Sequence, residues 1–332
     1  MSKKVDILVA TYNGEKYIKE QIESLLNQTY QNFQIIISDD FSKDSTRNIL
    51  KEYEEKYNEK IKVYYQENNL GYVKNFEFLL NHVENELYML CDQDDVWKKE
   101  KVERSVEKLE KENLDLVFGD LEVVDESLNT ICKSYNDYMH LTRRIEKYVS
   151  DYRLQYLYNC MTGCTILSKK ELLDKILPLP TNSKYMIHDY WIGLIVGLYG
   201  KVGYLKEPYI LYRQHGNNQV GISKASHKFK KIYDVRDLSI EIKLGIFETY
   251  VQNEKIFPED LRKQNKEAYE YFKMLKKKKY INFRRWTTFH KLYKTESFYK
   301  YLENFMTLNM PVILSPIFKI RYLILKLKGK RD

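Results

Sequence analysis

Glycine loops that bind phosphate are missing from this chain of 332 residues, which contains only 12 glycines. A dinucleotide-binding sheet carries G-x-G-x-x-G after its first strand, and a P-loop carries G-x-x-x-x-G-K-[ST]. Neither pattern occurs, and the segment after the first predicted strand contains Gly14 alone. This absence excludes the dinucleotide dehydrogenases and the P-loop enzymes.

Cysteine motifs and long apolar runs are also missing. The four cysteines form no C-x-x-C pair and have no histidine at zinc-ligand spacing, so we expect buried thiols in a reducing compartment. No uncharged run approaches the roughly 20 residues that span a bilayer, and the apolar run near the N-terminus is too short for a signal peptide. We therefore expect a cytoplasmic protein.

Charge is distributed unevenly along the chain. Residues 1–223 contain 29 basic and 35 acidic residues, whereas residues 224–332 contain 26 basic and 12 acidic residues. Such asymmetry favours contact with an anionic surface, either lipid headgroups or nucleic acid. Residues 311–331 mix apolar and basic side chains, which fits a helix in an anionic membrane interface or an amphipathic helix docked on the protein.

Short apolar runs alternate with helical periodicity through the first 125 residues. The predicted strands are residues 5–10, 33–38, 61–65, 87–91 and 116–124, with amphipathic helices between them. This alternation predicts an α/β fold whose parallel sheet has helices on both faces. Further on, residues 159–168 and 202–214 are predicted strands, residues 189–199 are a predicted helix, and the chain from about residue 224 is predicted to be helical.

Three carboxylates follow the fourth predicted strand: Asp92, Asp94 and Asp95. Adjacent carboxylates repel one another, so their clustering favours a cationic partner such as Mg²⁺ or Mn²⁺ bound with substrate phosphates. The alternative is a solvated acidic turn that caps the next helix. Within the cluster, Asp95 is the residue that we predict to be a helix cap.

Polar residues follow all four of the first strands. They are Thr11-Tyr-Asn-Gly14, Asp39-Asp-Phe-Ser42, Asn68-Asn-Leu-Gly71 with Lys74, and the acidic cluster. Since ligands of parallel sheets lie at the carboxyl ends of the strands, these segments together predict a nucleotide site. Without a glycine loop, a metal ion must hold most of the diphosphate. Lys74 and Arg213 are predicted phosphate partners from their charge, and a solvated surface position is the alternative for each.

Several motifs resemble those of a known family. They are Val9-Ala-Thr-Tyr-Asn13 with Glu15, Gln28-Thr-Tyr30, Ser38-Asp-Asp40 with Ser42 and Asp44, and Asp92-Gln-Asp-Asp95. In this order and spacing they are similar to family 2 glycosyltransferases of the GT-A fold. Met161-Thr-Gly-Cys164, Met186-Ile-His-Asp-Tyr-Trp191 and residues 212–221 resemble the rhamnosyltransferase-like branch. The resemblance covers roughly residues 3–221.

The resemblance implies roles for individual residues. Asp92 and Asp94 would hold Mg²⁺ or Mn²⁺ on the diphosphate, Asp40 would contact the base, and Asp189 would be the general base. A carboxylate suits that last role because a sugar hydroxyl is a weak nucleophile, although Asp189 could instead cap its helix. The predicted nucleotide-sugar-binding residues are Thr11, Tyr12, Asn13, Glu15, Asp40, Lys74, Asp92 and Gln93.

His215 and His188 have several interpretations. Either could ligate the metal, bind the diphosphate or hold a loop, and we predict His215 as the third metal ligand.

By this resemblance, residues 1–223 form a GT-A catalytic domain, with a nucleotide-sugar half at 1–125 and an acceptor half at 126–223. Residues 224–332 form a mainly helical, basic region. The implied function is inverting, metal-dependent transfer of rhamnose or a hexose from a dTDP or UDP donor. The implied acceptor is a lipid-linked glycan of a bacterial surface polysaccharide, met at the inner face of the plasma membrane.

Two alternatives belong to other classes of protein. A nucleotidyltransferase acting on sugar phosphates would carry a glycine-rich, basic loop after the first strand, which is absent. A nucleic-acid-binding protein would explain the basic tail but not the acidic cluster, so no nucleic-acid partner is expected.

Overall fold

The computed structural model describes residues 2–139, 141–149, 151, 155–181, 183–216 and 232–277, and the single residues 290, 292, 305 and 308. Its contacts divide the chain into two compact units. One comprises residues 1–181 and 187–221, and the other comprises residues 182–186 and 222–332. The first unit contains both β-sheets.

A seven-stranded sheet forms the centre of the first unit. Its strands are β1 (Val5–Thr11), β2 (Phe33–Asp39), β3 (Ile61–Tyr65), β4 (Leu87–Asp92), β6 (Leu116–Gly119), β9 (Leu167–Lys169) and β10 (Val202–Leu205). They lie in the order β10-β6-β9-β4-β1-β2-β3. Ile7, Leu8 and Val9 of β1 are fully buried, because a central parallel strand is covered on both faces.

A second sheet has four short strands. They are β5 (Val96–Trp97), β7 (Glu122–Val124), β8 (Thr130–Cys132) and β11 (Ile210–Arg213), in the order β5-β11-β7-β8. β6 and β10 are parallel neighbours in the large sheet, and β7 and β11 are parallel neighbours in the small one. The segments β6–β7 and β10–β11 therefore pass together from the large sheet into the small sheet and are paired in both.

Helices occur between the strands of the first unit. They are α1 (Ile18–Leu26), α2 (Thr46–Lys56), α3 (Tyr72–Asn81), α4 (Lys101–Lys111), α5 (Tyr135–Tyr138), α6 (Thr142–Tyr148), α7 (Leu173–Ile176) and α8 (His188–Tyr199). α1 buries Ile18, Ile22 and Leu25, the stripe that its apolar spacing predicts. The predicted α/β architecture is confirmed.

One predicted strand, residues 116–124, is divided between the two sheets. The break falls at Asp120, whose buried carboxylate accepts hydrogen bonds from the backbone N–H groups of Leu121 (2.8 Å) and Asn136 (3.0 Å). These bonds stabilise a bend, so β6 ends and β7 begins in the other sheet. The prediction was wrong because apolar residues flank this single carboxylate on both sides.

Other predicted elements also differ from the structure. β9 runs antiparallel to both β4 and β6, so the sheet is mixed and not parallel throughout. Most of residues 159–168 form a loop with a 3-10 turn at Gly163–Thr165. Residues 202–214 are divided into β10 and β11. Val96 and Trp97 pair with β11, so the amphipathic helix that follows the fourth predicted strand begins only at Lys101.

Two long helices, α9 (Ile232–Gln252) and α10 (Glu259–Lys276), pack together in the second unit. The rings of Phe247 and Phe272 stack with centroids 5.6 Å apart. The guanidinium of the buried Arg236 donates hydrogen bonds to the carbonyl oxygens of Leu308 (2.9 Å) and Leu275 (3.3 Å).

Within the part of the chain that the structure describes, no helix combines the length and the apolar character needed to cross a bilayer. The segment 311–331, predicted to lie in a membrane interface or to dock on the protein, falls outside the described residues. Residues 217–221 of the family resemblance also fall outside them.

Candidate active site

A cavity of about 1010 Å³ opens at the carboxyl ends of β1 and β4. It is also lined by α3, by the first turn of α8 and by the residues that follow β11. Nine of the sequence-predicted site residues line it: Thr11, Tyr12, Asn13, Asp40, Asp92, Gln93, Asp94, Asp189 and His215. Glu15 and Lys74 are not part of its lining.

The register of the large sheet explains why distant motifs meet at this cavity. Ala10 of β1 lies opposite Asp92 of β4, and Thr11 lies opposite Asp39 of β2. Parallel strands that end in register release their next residues at the same edge. The residues after β1, β2 and β4 are therefore neighbours although they are up to about 80 positions apart.

Gln93 shapes the loop that follows β1. Its side-chain carbonyl accepts hydrogen bonds from Thr11 Oγ1 (2.6 Å) and from the backbone N–H of Tyr12 (2.8 Å). Its amide nitrogen donates to the carbonyl oxygen of Tyr12 (3.1 Å). The side chain thus pairs with the peptide of Tyr12 and leaves the Tyr12 ring exposed at the cavity rim.

Asn13 and Glu15 join the loop after β1 to the loop after β2. The backbone N–H of Asn13 donates to Ser42 Oγ (2.8 Å), and Asn13 Oδ1 accepts from the backbone N–H of Lys43 (2.8 Å). The Glu15 carboxylate accepts from the backbone N–H of Ser45 (2.8 Å). Glu15 therefore supports the site from outside the cavity, and Ser42 contacts the loop after β1.

Asp40 connects the end of β2 to the start of α3. Its two carboxylate oxygens accept hydrogen bonds from the backbone N–H groups of Leu70 (2.6 Å) and Gly71 (2.9 Å), immediately before the helix. Lys74 on that helix is exposed, whereas the next residue, Asn75, lines the cavity and donates to the Ser38 carbonyl (3.0 Å). The helix thus presents an amide to the cavity.

The acidic cluster contains strongly perturbed carboxyls. Burial raises the pKa of Asp92 to about 7, with the charges of Asp94 and Asp189 as further causes. Burial also raises the pKa of Asp95 well above its usual range, and the charges of Asp94 and Asp92 add to the effect. Single ligand atoms of Asp92, Asp95 and Cys164 lie within 4.8 Å of one another. Carboxylates crowded in this way favour a divalent cation. This close group contains Asp92 of the predicted metal ligands but neither Asp94 nor His215.

His215 reaches the acidic cluster from the segment that follows β11. Its Nε2 lies 2.8 Å from Asp94 Oδ2, although the two residues are 121 positions apart. Asp95 is fully buried and accepts a hydrogen bond from the backbone N–H of Arg213 (3.1 Å). Because α4 begins only at Lys101, the prediction that Asp95 caps this helix was wrong.

The guanidinium of Arg213 is engaged within the protein. It donates to the carbonyl oxygens of Asp94 (2.9 Å) and Glu126 (2.6 Å) and pairs with the Glu20 carboxylate. The side chain is buried and is not part of the cavity lining. Arg213 therefore fixes the segments that carry Asp94 and Glu126, and its position gives no support to the predicted phosphate contact.

Asp189 lies in the first turn of α8 and is 6% exposed. Three N–H groups donate to its carboxylate: the Asn159 side-chain amide (3.0 Å) and the backbone amides of Gly163 (3.1 Å) and Tyr190 (2.6 Å). Burial raises the pKa of Asp189 to about 6, while these hydrogen bonds lower it. The group is consequently ionised at neutral pH and can accept a proton.

Asn159 is held in one orientation by its own neighbours. Its Oδ1 accepts hydrogen bonds from Gln155 Nε2 (3.2 Å) and from the backbone N–H of Met161 (3.1 Å). Since the oxygen is occupied by these donors, the NH₂ group must face Asp189. Gln155 is fully buried, so this chain of hydrogen bonds reaches from the protein interior to the carboxylate.

His188 forms part of an aromatic wall beside Asp189. Its ring stacks on Phe76 at 4.2 Å between centroids, and Tyr72 approaches edge-on at 6.2 Å. Burial lowers the pKa of His188 to about 3, so the imidazole is neutral. His188 lines the cavity next to the predicted base, a position that the sequence had not predicted for it.

Sequence reasoning missed several residues that line the cavity, including Lys16, Tyr17, Asn75, Glu126, Tyr135 and Asn159. Most of them lie in loops or short turns that have no apolar periodicity. The one available signal concerned Lys16 and Tyr17, which directly follow the first recognised motif at Glu15.

Comparison with known proteins assigns the family. Residues 6–177 match the profile of glycosyl transferase family 2. The chain is 33% identical over 245 residues to the dTDP-rhamnosyl transferase RfbG of Shigella flexneri, which covers 69% of this chain and 79% of that protein. It is 37% identical over 103 residues to the putative teichuronic acid biosynthesis glycosyltransferase TuaG of Bacillus subtilis, covering 31% and 40% of the two chains. The chain belongs to glycosyl transferase family 2, and the predicted resemblance to rhamnosyltransferase-like members is confirmed.

Solved structures confirm the GT-A fold. One is Staphylococcus aureus TarS residues 1–349 in complex with UDP-GlcNAc. The match covers 81% of this chain and 72% of the TarS chain, with a TM-score of 0.53 and 19% identity. The second structure is the mannosyltransferase PcManGT from Pyrobaculum calidifontis in complex with GDP-Man and Mn²⁺. The match covers 97% of this chain and 84% of PcManGT, with a TM-score of 0.52 and 14% identity. At these identities the similarity concerns the fold alone.

Proposed function

We propose that this glycosyltransferase moves a sugar from a nucleoside-diphosphate donor to an acceptor hydroxyl in one inverting displacement. The observation that supports this most directly is that Asp189, Asp92 and Asp94 line the same cavity. The charge of Asp189 contributes to the raised pKa of Asp92, so the two carboxylates are close enough to interact. Asp92 and Asp94 are suited to the donor diphosphate, and Asp189 is suited to the acceptor hydroxyl.

Asp189 is the proposed general base. Its carboxylate takes the proton of the acceptor hydroxyl while that oxygen attacks the anomeric carbon from the face opposite the leaving group. The new carbon–oxygen bond forms as the bond to the diphosphate oxygen breaks, and the nucleoside diphosphate leaves with the bonding electrons. A single displacement inverts the anomeric configuration and needs no covalent intermediate.

Mg²⁺ or Mn²⁺ is the proposed cofactor, held by Asp92 and Asp94 with His215 as a third ligand. The carboxylate and imidazole donors fit such an ion, which would supply Lewis-acid stabilisation of the leaving diphosphate. Thr11, Tyr12, Asn13 and Asp40 are the proposed contacts of the nucleotide. Gln93 acts with them by fixing the Tyr12 loop.

The proposed donors are dTDP-rhamnose, as in the name of the Shigella relative, or a UDP-hexose. The proposed acceptor is a lipid-linked glycan of a bacterial surface polysaccharide, and the similarity to a teichuronic acid biosynthesis glycosyltransferase supports that class. An acceptor on a lipid would be met at the cytoplasmic face of the membrane. The basic region 224–332, with a net excess of 14 positive charges, is suited to that surface.

Replacement of the proposed base tests the mechanism. Asp189→Asn keeps the size of the side chain but removes the proton acceptor, so we expect transfer to fall about 10²–10⁴-fold. Calorimetric titration should show that the variant still binds the nucleoside diphosphate. A variant that transfers sugar at nearly the wild-type rate would remove Asp189 from this role.

A thermal-shift screen tests the ligand class. We expect dTDP or UDP to raise the melting temperature more with Mn²⁺ than without it, and GDP to raise it less. Stabilisation by a short oligonucleotide alone would contradict the proposed function and favour nucleic-acid binding.

A further inference from the structure

Positive charge is scarce on the cavity wall. Among the described residues that line it, Lys16 is the single lysine or arginine. Carboxylates come from five lining residues: Asp40, Asp92, Asp94, Glu126 and Asp189. A nucleoside diphosphate adds further negative charge, and ammonium groups are effective partners for phosphate oxygens. Lys16 is therefore the one described side chain of this wall that can offer a permanent cation to the donor.

Lys16 is located beside the proposed metal ligands. Its Nζ lies 4.9 Å from the centre of the Tyr17 ring, and that ring lies 4.9 Å from the ring of His215. His215 in turn is 2.8 Å from Asp94. A diphosphate bound at Asp94 and His215 is thus one aromatic ring away from the ammonium group.

The ammonium of Lys16 has an exchangeable partner. Its Nζ lies 2.5 Å from Glu126 Oε2, and the two side chains are 62% and 50% exposed. An exposed ion pair of this kind is weak, so exchange of one anionic partner for another is easy. The backbone of Glu126 is fixed, because its carbonyl oxygen accepts a hydrogen bond from the buried Arg213 (2.6 Å). Lys16, on a flexible stem, is the member that moves.

We propose that Lys16 is a ligand of the donor diphosphate, and that Glu126 holds its ammonium group at the cavity until the donor binds. This inference rests on the proposed function, because it takes the cavity to be the site of the nucleoside-diphosphate sugar. Donor binding exchanges the Lys16–Glu126 ion pair for a lysine–phosphate contact. Removal of Lys16 should therefore lower the affinity for the diphosphate, and removal of the Glu126 carboxylate should raise it.

The experiment compares Lys16→Met, Glu126→Gln and the control Lys19→Met in the full chain. Lys19 is an exposed lysine of α1 that is not part of the cavity lining. The Kd values of UDP and dTDP are measured by calorimetric titration with Mn²⁺ present. Those of uridine and thymidine, which lack the diphosphate, are measured by competition against UDP and dTDP. Lys16→Met should raise the Kd of the diphosphates about tenfold and leave the nucleosides within about twofold. Glu126→Gln should lower the Kd of the diphosphates about two- to fivefold, and Lys19→Met should match the wild type.

Several outcomes would overturn the inference. Diphosphate affinity of Lys16→Met within twofold of the wild type removes Lys16 as a ligand. An equal loss for nucleosides and diphosphates shows that the substitution disturbs the loop instead. Unchanged or weaker binding by Glu126→Gln contradicts the exchange of partners. A wild-type protein that binds no nucleoside diphosphate overturns the proposed function together with this inference, and so distinguishes the two failures.

Discussion

The acidic cluster and the Asp189 pocket place buried carboxylates on one cavity with different neighbours. Asp92 has a pKa of about 7 because burial and the charges of Asp94 and Asp189 disfavour its ionised form. Asp189 is at least as buried, but three N–H donors face it and its pKa is about 6. Burial raises both pKa values, but hydrogen bonds offset part of that effect at Asp189, whereas neighbouring carboxylates add to it at Asp92. The proposed cation would supply at the cluster the compensation that N–H groups supply at Asp189.

Loss of the cation should give the largest effect on this contrast. Asp94→Asn removes a carboxylate of the cluster and weakens the pair with His215, while Asp189 keeps its donors. We expect transfer to fall about 10³-fold, because metal stabilisation of a leaving group contributes several kcal/mol. In a thermal-shift assay, Mn²⁺ should no longer increase the stabilisation by UDP or dTDP. Asp174→Asn, on the exposed side of α7, is the control, and equal Mn²⁺ responses in both variants would contradict the metal assignment.

Removal of a hydrogen-bond donor to the Asp189 carboxylate should give the next largest effect. Asn159→Leu keeps the volume but deletes the N–H that lowers the pKa of Asp189. That pKa should rise above about 6, so the acid limb of the kcat/KM profile moves upward by about one pH unit. The loss should be about fivefold near pH 6, approach about tenfold near pH 5 and be small near pH 8.

The matched control is Asn81→Leu on α3, outside the cavity lining. A profile of Asn159→Leu that falls equally at every pH would show that Asn159 has a packing role only.

The metal-free protein should show the contrast in its stability. The carboxyl of Asp92 binds protons more tightly in the folded state (pKa about 7) than in the unfolded state (3.8). Its contribution to stability is therefore present at low pH and is lost as pH rises through 7. With a chelator present, the melting temperature should be a few degrees higher near pH 5.5 than near pH 7.5. Asp92→Asn should reduce this difference, and an unchanged difference would show that other groups cause it.

Replacement of a lysine outside the cavity should give the smallest effect. Lys74 was predicted to contact phosphate, yet it is exposed and is not among the lining residues. We expect Lys74→Met to change the KM for the donor by less than about twofold, as for most surface substitutions. A tenfold rise in KM would show that Lys74 reaches the bound donor from outside the cavity.

The donor side of the cavity could be predicted from sequence because regular strands place it. The apolar runs of β1 and β4 end at Thr11 and Asp92, and parallel register brings such ends together. Asn159 and Gly163 could not be predicted in this way, since they belong to a loop and a 3-10 turn. The position of Asp189 beside them depends on hydrogen bonds between residues about 30 positions apart.

The bend at Asp120 shows a second reason for the limits of sequence reasoning. One buried carboxylate inside an apolar run decides that the chain changes sheets, and hydropathy alone gives no sign of that change. The same bend takes the chain into β7 and on to Glu126, a residue that sequence reasoning missed. The misjudged strand and the missed cavity residue therefore have a common cause.

The 121 positions between Asp94 and His215 also have a consequence for biosynthesis. Chains are made from the N-terminus and domains fold as units, so a nascent chain shorter than 215 residues contains the edges of β1, β2 and β4 without the histidine. Because His215 lies near the C-terminal limit of the first unit, the pair is completed only when nearly all of that unit has been synthesised. Protein synthesis thus delays the assembly of the Asp94–His215 pair until the whole cavity can form around it.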